Sequence, residues 1–136
     1  MDHGRPFPQA VEAERALLGG LISDPRKLPD VQEVLDSEAF YRREHGALFA
    51  MLAEMAARGE HIDLVTVPER IARGGEAERF GGVAYVVELP DHVPSTANLV
   101  HYAEVIKDKA LLRQLIERAN DLSQKAYDQP ADVGEL

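Results

Sequence analysis

Val93–Tyr127 reads V-P-S-T-A-N-L-V-H-Y-A-E-V-I-K-D-K-A-L-L-R-Q-L-I-E-R-A-N-D-L-S-Q-K-A-Y. No Pro or Gly falls between Pro94 and Pro130, and Ser95 or Thr96 is suited to cap a helix there. The stretch predicts one helix of about eight turns, at ~3.6 residues per turn. Leu99, Tyr102, Ala103, Ile106 and Ala110 form a first apolar stripe. Leu112, Leu115, Ala119, Leu122 and Ala126 then step by 3 and 4, with Ile116 alongside, as in a coiled-coil seam. Either both stripes belong to the core of one bundle, or the helix has two successive partners. In the second case the first half packs on the preceding globular part. The second half then needs another helix, for which little chain remains.

Upstream, Pro8 suits a first helical turn, and the pattern Val11, Leu18, Leu21, Ile22 continues to a stop at Asp24-Pro25. Gly19-Gly20 weakens this helix by about 1 kcal/mol per glycine and reads as a place for close approach by another helix. A phosphate-binding turn is a poor reading, because no Lys-Ser/Thr follows and no strand precedes. Leu28, Val31, Val34 and Leu35 give a short second helix, with Pro29 in its first turn. Asp36-Ser37 opens a turn. Arg42–Gly59 is the clearest helix, with Leu48, Phe49, Leu52, Met55 and Ala56 on its apolar face and Gly59 at C′. His45 falls on or beside that face, where a hydrogen-bonded structural role is the default.

Thr66 and Glu69 have capping-box spacing, and Gly74-Gly75 stops the helix that follows. Phe80-Gly81-Gly82 is a break. Val83–Leu89 has the β-branched content of a strand, but a lone strand lacks a pairing partner, which favours helix. Pro90–Pro94 reads as a loop. Residues 1–7 read as a flexible tail, 8–94 as a globular helical unit, and 95–136 as the long helix with a further segment opening near Asp132.

The chain has 136 residues, 45% of them apolar, enough to bury a core in one domain or one domain with an extension. It has no apolar run of the ~20 residues that span a bilayer and no signal-peptide pattern. The absence of cysteine excludes disulfides, zinc-thiolate sites and thiol catalysis, and a cytoplasmic setting is expected. The net charge is −9, and residues 1–95 and 96–136 each carry more Asp and Glu than Lys and Arg. That balance argues against tight direct DNA binding and suits a protein partner with a basic face. No P-loop, dinucleotide, zincin or nucleophile-elbow motif occurs. The five histidines are scattered. His61 and Asp63 alone make a weak metal pair. The expectation is an all-α interaction module with no catalytic, cofactor or metal residues.

Five segments in order carry a resemblance: A-V-E-A-E-R-A-L-L-G-G-L-I-S-D-P, F-Y-R-R-E-H-G-A-L-F, I-D-L-V-T-V-P-E-R, F-G-G-V-A-Y-V-V-E-L and V-P-S-T-A-N-L-V-H-Y-A-E-V-I-K-D-K-A-L-L-R-Q-L-I. Together, over about Pro8 to Leu136, they resemble the N-terminal domain of the DnaB-type replicative helicase of bacteria and their phages. The resemblance implies a small helical domain followed by a helical hairpin, the long helix being the first arm. It makes Val83–Leu89 helical. It further implies a collar of dimers on a hexameric ring, contact with primase and with a helicase loader, and an ATP- and Mg-dependent motor in a separate domain. On this reading the chain itself has no helicase activity.

Candidate primase contacts are Glu12, Tyr85, Ile116 and Leu122. Candidate hairpin or oligomer seam residues are Leu112, Leu115, Ala119 and Leu122. Intramolecular packing is the competing explanation for each. Two alternatives stay open: the helicase-binding helical domain of a primase, which is similarly built, and an unrelated non-catalytic helical adaptor.

Overall fold

A computed structural model describes residues 4–129 and 131–135. Among these, six α-helices and no strand occur: α1 (Val11–Ser23), α2 (Leu28–Gln32), α3 (Arg43–Ala57), α4 (Thr66–Gly74), α5 (Val83–Glu88) and α6 (Leu99–Tyr127). Short 3-10 turns join several of them. The fold is the expected one, a small helical unit followed by a long helix.

The core forms around α1. Its Leu17, Leu18, Leu21 and Ile22 are almost wholly buried, and each such side chain contributes about 1.5–3 kcal/mol on leaving water. They join Leu48, Leu52 and Met55 of α3, Val67 and Ile71 of α4, Val86 of α5, and Leu99, Ala103 and Ile106 of α6 in one cluster. The glycine pair has the role expected of it. A Cβ on Gly19 would stand 2.6 Å from the carbonyl carbon of Leu89, and one on Gly20 would enter the Leu99 side chain. The bare backbone of α1 is what lets the Leu89–His92 turn and the start of α6 close over it.

Several local expectations are corrected. Pro8 is not in the first turn of α1. The helix starts at Val11, whose N–H donates to Gln9 Oε1 (2.9 Å), and the Pro8 carbonyl instead accepts from Arg113 Nη1 (2.8 Å). Ala56 is exposed, because α3 is ending there. Gly59, at φ +71°, closes a Schellman motif in which Gly59 N–H donates to Ala56 O and Glu60 N–H to Met55 O. The capping box lies three residues earlier than Thr66–Glu69. Val67 N–H already donates to Asp63 O. Asp63 Oδ1 accepts from the N–H groups of Val65 (2.8 Å) and Thr66 (2.7 Å), and Thr66 Oγ1 accepts from Asp63 N–H (2.9 Å). A carboxylate placed to take two orphan N–H groups displaces the hydroxyl as cap.

Val83–Glu88 is helical, and a 3-10 turn, Leu89–His92, takes the last residue of the expected helix and the first part of the expected Pro90–Pro94 loop. Ser95 Oγ accepts from Ala97 N–H (3.1 Å) and caps a 3-10 turn, Thr96–Asn98, so α6 itself begins at Leu99. Of the expected tail, residues 1–3 lie outside the described residues, and Gly4–Phe7 precede the first helix. Past α6, Val133–Glu135 form a short 3-10 turn, while Pro130 and Leu136 lie outside the described residues.

Gly19→Ala is expected to lower stability by about 1–3 kcal/mol through overpacking against backbone. Gly74→Ala, with open space around the added methyl, should be neutral or gain up to ~1 kcal/mol. Urea denaturation of the two variants checks the contrast.

The N–H groups of Thr66 and then Val65 hold the Asp63 carboxyl below its ordinary value of 3.8. A lowered native value stabilises above the ordinary one and is lost as pH falls through it. Asp63→Ser should therefore lower the urea midpoint at neutral pH, and the difference from the wild type should shrink as pH falls below about 3.8.

Candidate functional site

Two features stand out beyond the core. The first is a polar chain through the globular unit. Glu14 lies on the apolar face of α1 with 1% of its surface exposed, and His45 on α3 is wholly buried. A buried carboxylate is tolerated only when its acceptor sites are filled. Glu14 Oε2 accepts from Tyr41 N–H (2.8 Å) and Oε1 from Arg42 N–H (3.4 Å), just ahead of α3, where the helix dipole favours negative charge. His45 Nδ1 completes the set at 2.7 Å from Oε1. With the hydrogen on Nδ1, Nε2 is left to accept from the Tyr85 hydroxyl at 2.6 Å. The Tyr85 oxygen accepts in turn from Arg15 Nε (3.2 Å), and Arg15 Nη1 pairs with Glu12.

With that tautomer the hydrogen bonds run inward, from Arg15 to Tyr85 to His45 to Glu14. The Tyr85 and His45 rings lie nearly parallel, with centroids 5.9 Å apart. Gly81, at φ +90°, lies under the Tyr85 ring, and a Cβ there would come within 2.8 Å of it. The hydrogen bond to Tyr85, above all, pushes the Arg15 guanidinium further above its ordinary range. The chain therefore ends at the surface in a permanent cation paired with Glu12, whose side chain is 78% exposed.

The second feature is the outer half of α6. Leu99, Ala103, Ile106 and Ala110 are buried and Tyr102 is half-buried, so the first stripe packs on the globular unit. Leu111, Leu112, Leu115 and Leu122 are exposed by about half or more, Ala119 and Ala126 are exposed, and Ile116 is half-buried. Between the halves, Arg113 donates from Nη1 to Pro8 O and from Nη2 to Ala39 O, both at 2.8 Å. Its guanidinium carbon lies 5.4 Å from the centre of the Tyr41 ring. This clamp fixes the point at which α6 leaves the body.

Of the sequence candidates, Glu12 and Tyr85 are brought together through Arg15, whereas Ile116 and Leu122 are on the outer part of α6. Leu112, Leu115, Ala119 and Leu122 are all exposed on the outer half of α6. Glu14, Arg15 and Arg113 were missed. Glu14 carried a signal: it interrupts the apolar stripe Val11, Leu18, Leu21, much as His45 interrupts that of α3, and two ionisable residues on facing apolar stripes suggest a pair. His61 Nε2 lies 3.1 Å from Asp63 Oδ2, but among the described residues no group of three or more metal-ligating side chains occurs. No helix among them is long and apolar enough to cross a membrane.

Glu14→Ala would leave His45 and two N–H groups without an acceptor in the core. A loss of about 3–5 kcal/mol is expected, the range for removing one partner of a buried pair, measurable as a fall in the urea midpoint.

Comparison with known proteins agrees with this architecture. Residues 6–108 match the family model of the DnaB-like helicase N-terminal domain. The replicative DNA helicase DnaB of Geobacillus stearothermophilus is 40% identical over 129 residues, covering 95% of this chain and 28% of that protein. The Mycobacterium leprae DnaB is 38% identical over 137 residues, covering 99% and 23%. The crystal structure of the N-terminal domain of DnaB helicase from Mycobacterium tuberculosis superposes with a TM-score of 0.84 at 36% identity, covering 90% of this chain and 88% of that one. The chain thus spans about a quarter of the length of each of these two curated helicases.

Proposed function

This chain belongs to the DnaB-like helicase N-terminal domain family, and from that premise we propose that it is the interaction collar of a hexameric replicative helicase. It mediates self-association through dimers of helical arms and binds primase during primosome assembly. The observation that carries this reading is the uncovered apolar seam on α6. Leu112 beside the Arg113 clamp, and Leu115 and Leu122 beyond it, are exposed by about half or more, on a helix whose other half packs on the core. Exposed leucines at steps of 3 and 4 suit burial against another helix. The mainly acidic surface suits a basic protein partner better than DNA. The ATP- and Mg-dependent motor belongs to regions of such helicases that this chain does not span, and a loader is a further partner of the same collar.

The test has two arms. Leu112→Glu with Leu115→Glu should shift the sedimentation-equilibrium mass toward monomer. Ile116→Glu or Leu122→Glu should weaken calorimetrically measured binding to the helicase-binding region of the cognate primase by about tenfold or more, ~1.4 kcal/mol. A wild-type chain that neither self-associates nor binds that region would overturn the proposal, and ATP turnover by the isolated chain would contradict it.

A further inference from the structure

Helix α6 loses its cover after Ala110, its last buried residue. Past that point Arg113 and Ile116 are half-buried, and the other residues of the helix are exposed. Arg113 reaches back to the body from there: Nη1 donates to Pro8 O and Nη2 to Ala39 O, both at 2.8 Å. These acceptors sit on two unconnected segments, 105 and 74 residues away in sequence. Ala39 ends the Ser37–Ala39 turn. Pro8 lies in the segment ahead of α1, where Arg5, Pro6 and Phe7 are exposed. The ring of each proline fixes its own φ and stiffens that segment. A guanidinium holds its donors in one rigid plane, so with both carbonyls bound their positions set the direction in which α6 leaves. Packing leaves that direction open on one side. A cleft of about 380 Å³ lies between α6 and the end of α2 at this level, bordered by Val34, Leu35, Glu38, Lys107, Ala110 and Leu111. Close-packed neighbours resist the tilting of a helix, and open space does not.

We propose that Arg113 is a conformational lock: bound to Pro8 and Ala39 together it holds the outer part of α6 at one angle, and release of Pro8 frees the helix to tilt. The segment ahead of α1 is then a strap. It controls the angle of the whole outer helix through one carbonyl, and whatever draws that segment away from the body unlocks the helix. The Tyr41 ring, 5.4 Å from the guanidinium carbon, covers one face of the lock. The device concerns the angle of α6 alone and holds whether or not the domain binds primase.

The chain has no cysteine, so spin labels can be placed on Ala56→Cys, at the exposed end of α3, and Ser123→Cys, on the exposed part of α6. Double electron–electron resonance in an excess of unlabelled chain reads the distance within one copy. At ~1.5 Å per residue, a tilt of about 10° about Ala110 moves position 123 by about 3 Å. The full chain is expected to give one narrow distribution. Arg113→Met keeps the stem and removes the donors. A chain lacking residues 1–8 keeps Arg113 and Ala39 and removes the strap. Each should shift or broaden the distribution by about 3 Å or more, with unchanged helix content by circular dichroism. Should Arg113→Met fail to fold, Arg113→Lys, which cannot hold two carbonyls in one plane, takes its place with the same expectation. An unchanged distribution in the shortened chain overturns the lock whatever the Arg113 variants do, because Ala39 or the core would then hold the angle without Pro8. A distribution already broad in the full chain overturns it equally, since no single angle would be held.

Discussion

The burial of one carboxylate constrains much of this structure. Glu14 has almost no contact with water, and an ionised group in that position is stable only if the chain brings donors to it. Four segments answer that demand: α1 carries the carboxylate, the residues before α3 supply two backbone N–H groups, α3 supplies His45, and α5 supplies the tyrosine that fills the other side of the imidazole. The bonded pairs are separated by 27 to 40 residues in sequence. Apolar contacts tolerate small slips in packing. A set of aligned hydrogen bonds does not, so this cluster fixes how α1, α3 and α5 sit relative to one another.

A second requirement acts on the opposite side of α1. Gly19 and Gly20 let the Leu89–His92 turn and Leu99 approach the helix more closely than any side chain would allow. The helix at the centre of the domain therefore has one side committed to a polar cluster and another stripped to backbone. Ion pairs such as Arg70 with Glu60 (2.5 Å) and Glu54 (3.6 Å) fasten α4 to the end of α3 at the periphery. Partly exposed pairs of this kind contribute little beside burial of the core.

The parts of the fold that were legible in sequence are those governed by local periodicity. The long helix, its change of apolar stripe near Ala110, the glycine stop after α3 and the close-approach role of Gly19-Gly20 all follow from spacing within a few turns. The Thr66–Glu69 box misled because two cap patterns overlap, and the choice between them depends on where the ladder starts, which Asp63 decides. Val83–Leu89 was ambiguous because β-branched residues serve both states; the resemblance pointed to helix, and packing against the core bears that out. The candidate site was only half legible. An exposed seam announces itself as an apolar stripe without a partner. The chain from Glu12 to Glu14 joins α1, α3 and α5, and no local pattern reports that Arg15 and His45 meet the same hydroxyl. Arg113 was invisible for a similar reason: its acceptors are backbone carbonyls of Pro8 and Ala39, which any residue type presents.

The continuity of α6 has a mechanical consequence. At ~1.5 Å per residue, the segment from Arg113 to Tyr127 projects about 21 Å from the body. It behaves as a cantilever built in at the Arg113 guanidinium. A tilt of about 5° at that support moves the free tip by about 2 Å over such a length, half the width of a good apolar contact at ~4 Å. Whatever grips the far end therefore senses the angle of the support in amplified form, and two carbonyl hydrogen bonds near the root govern alignment at a distance they never touch.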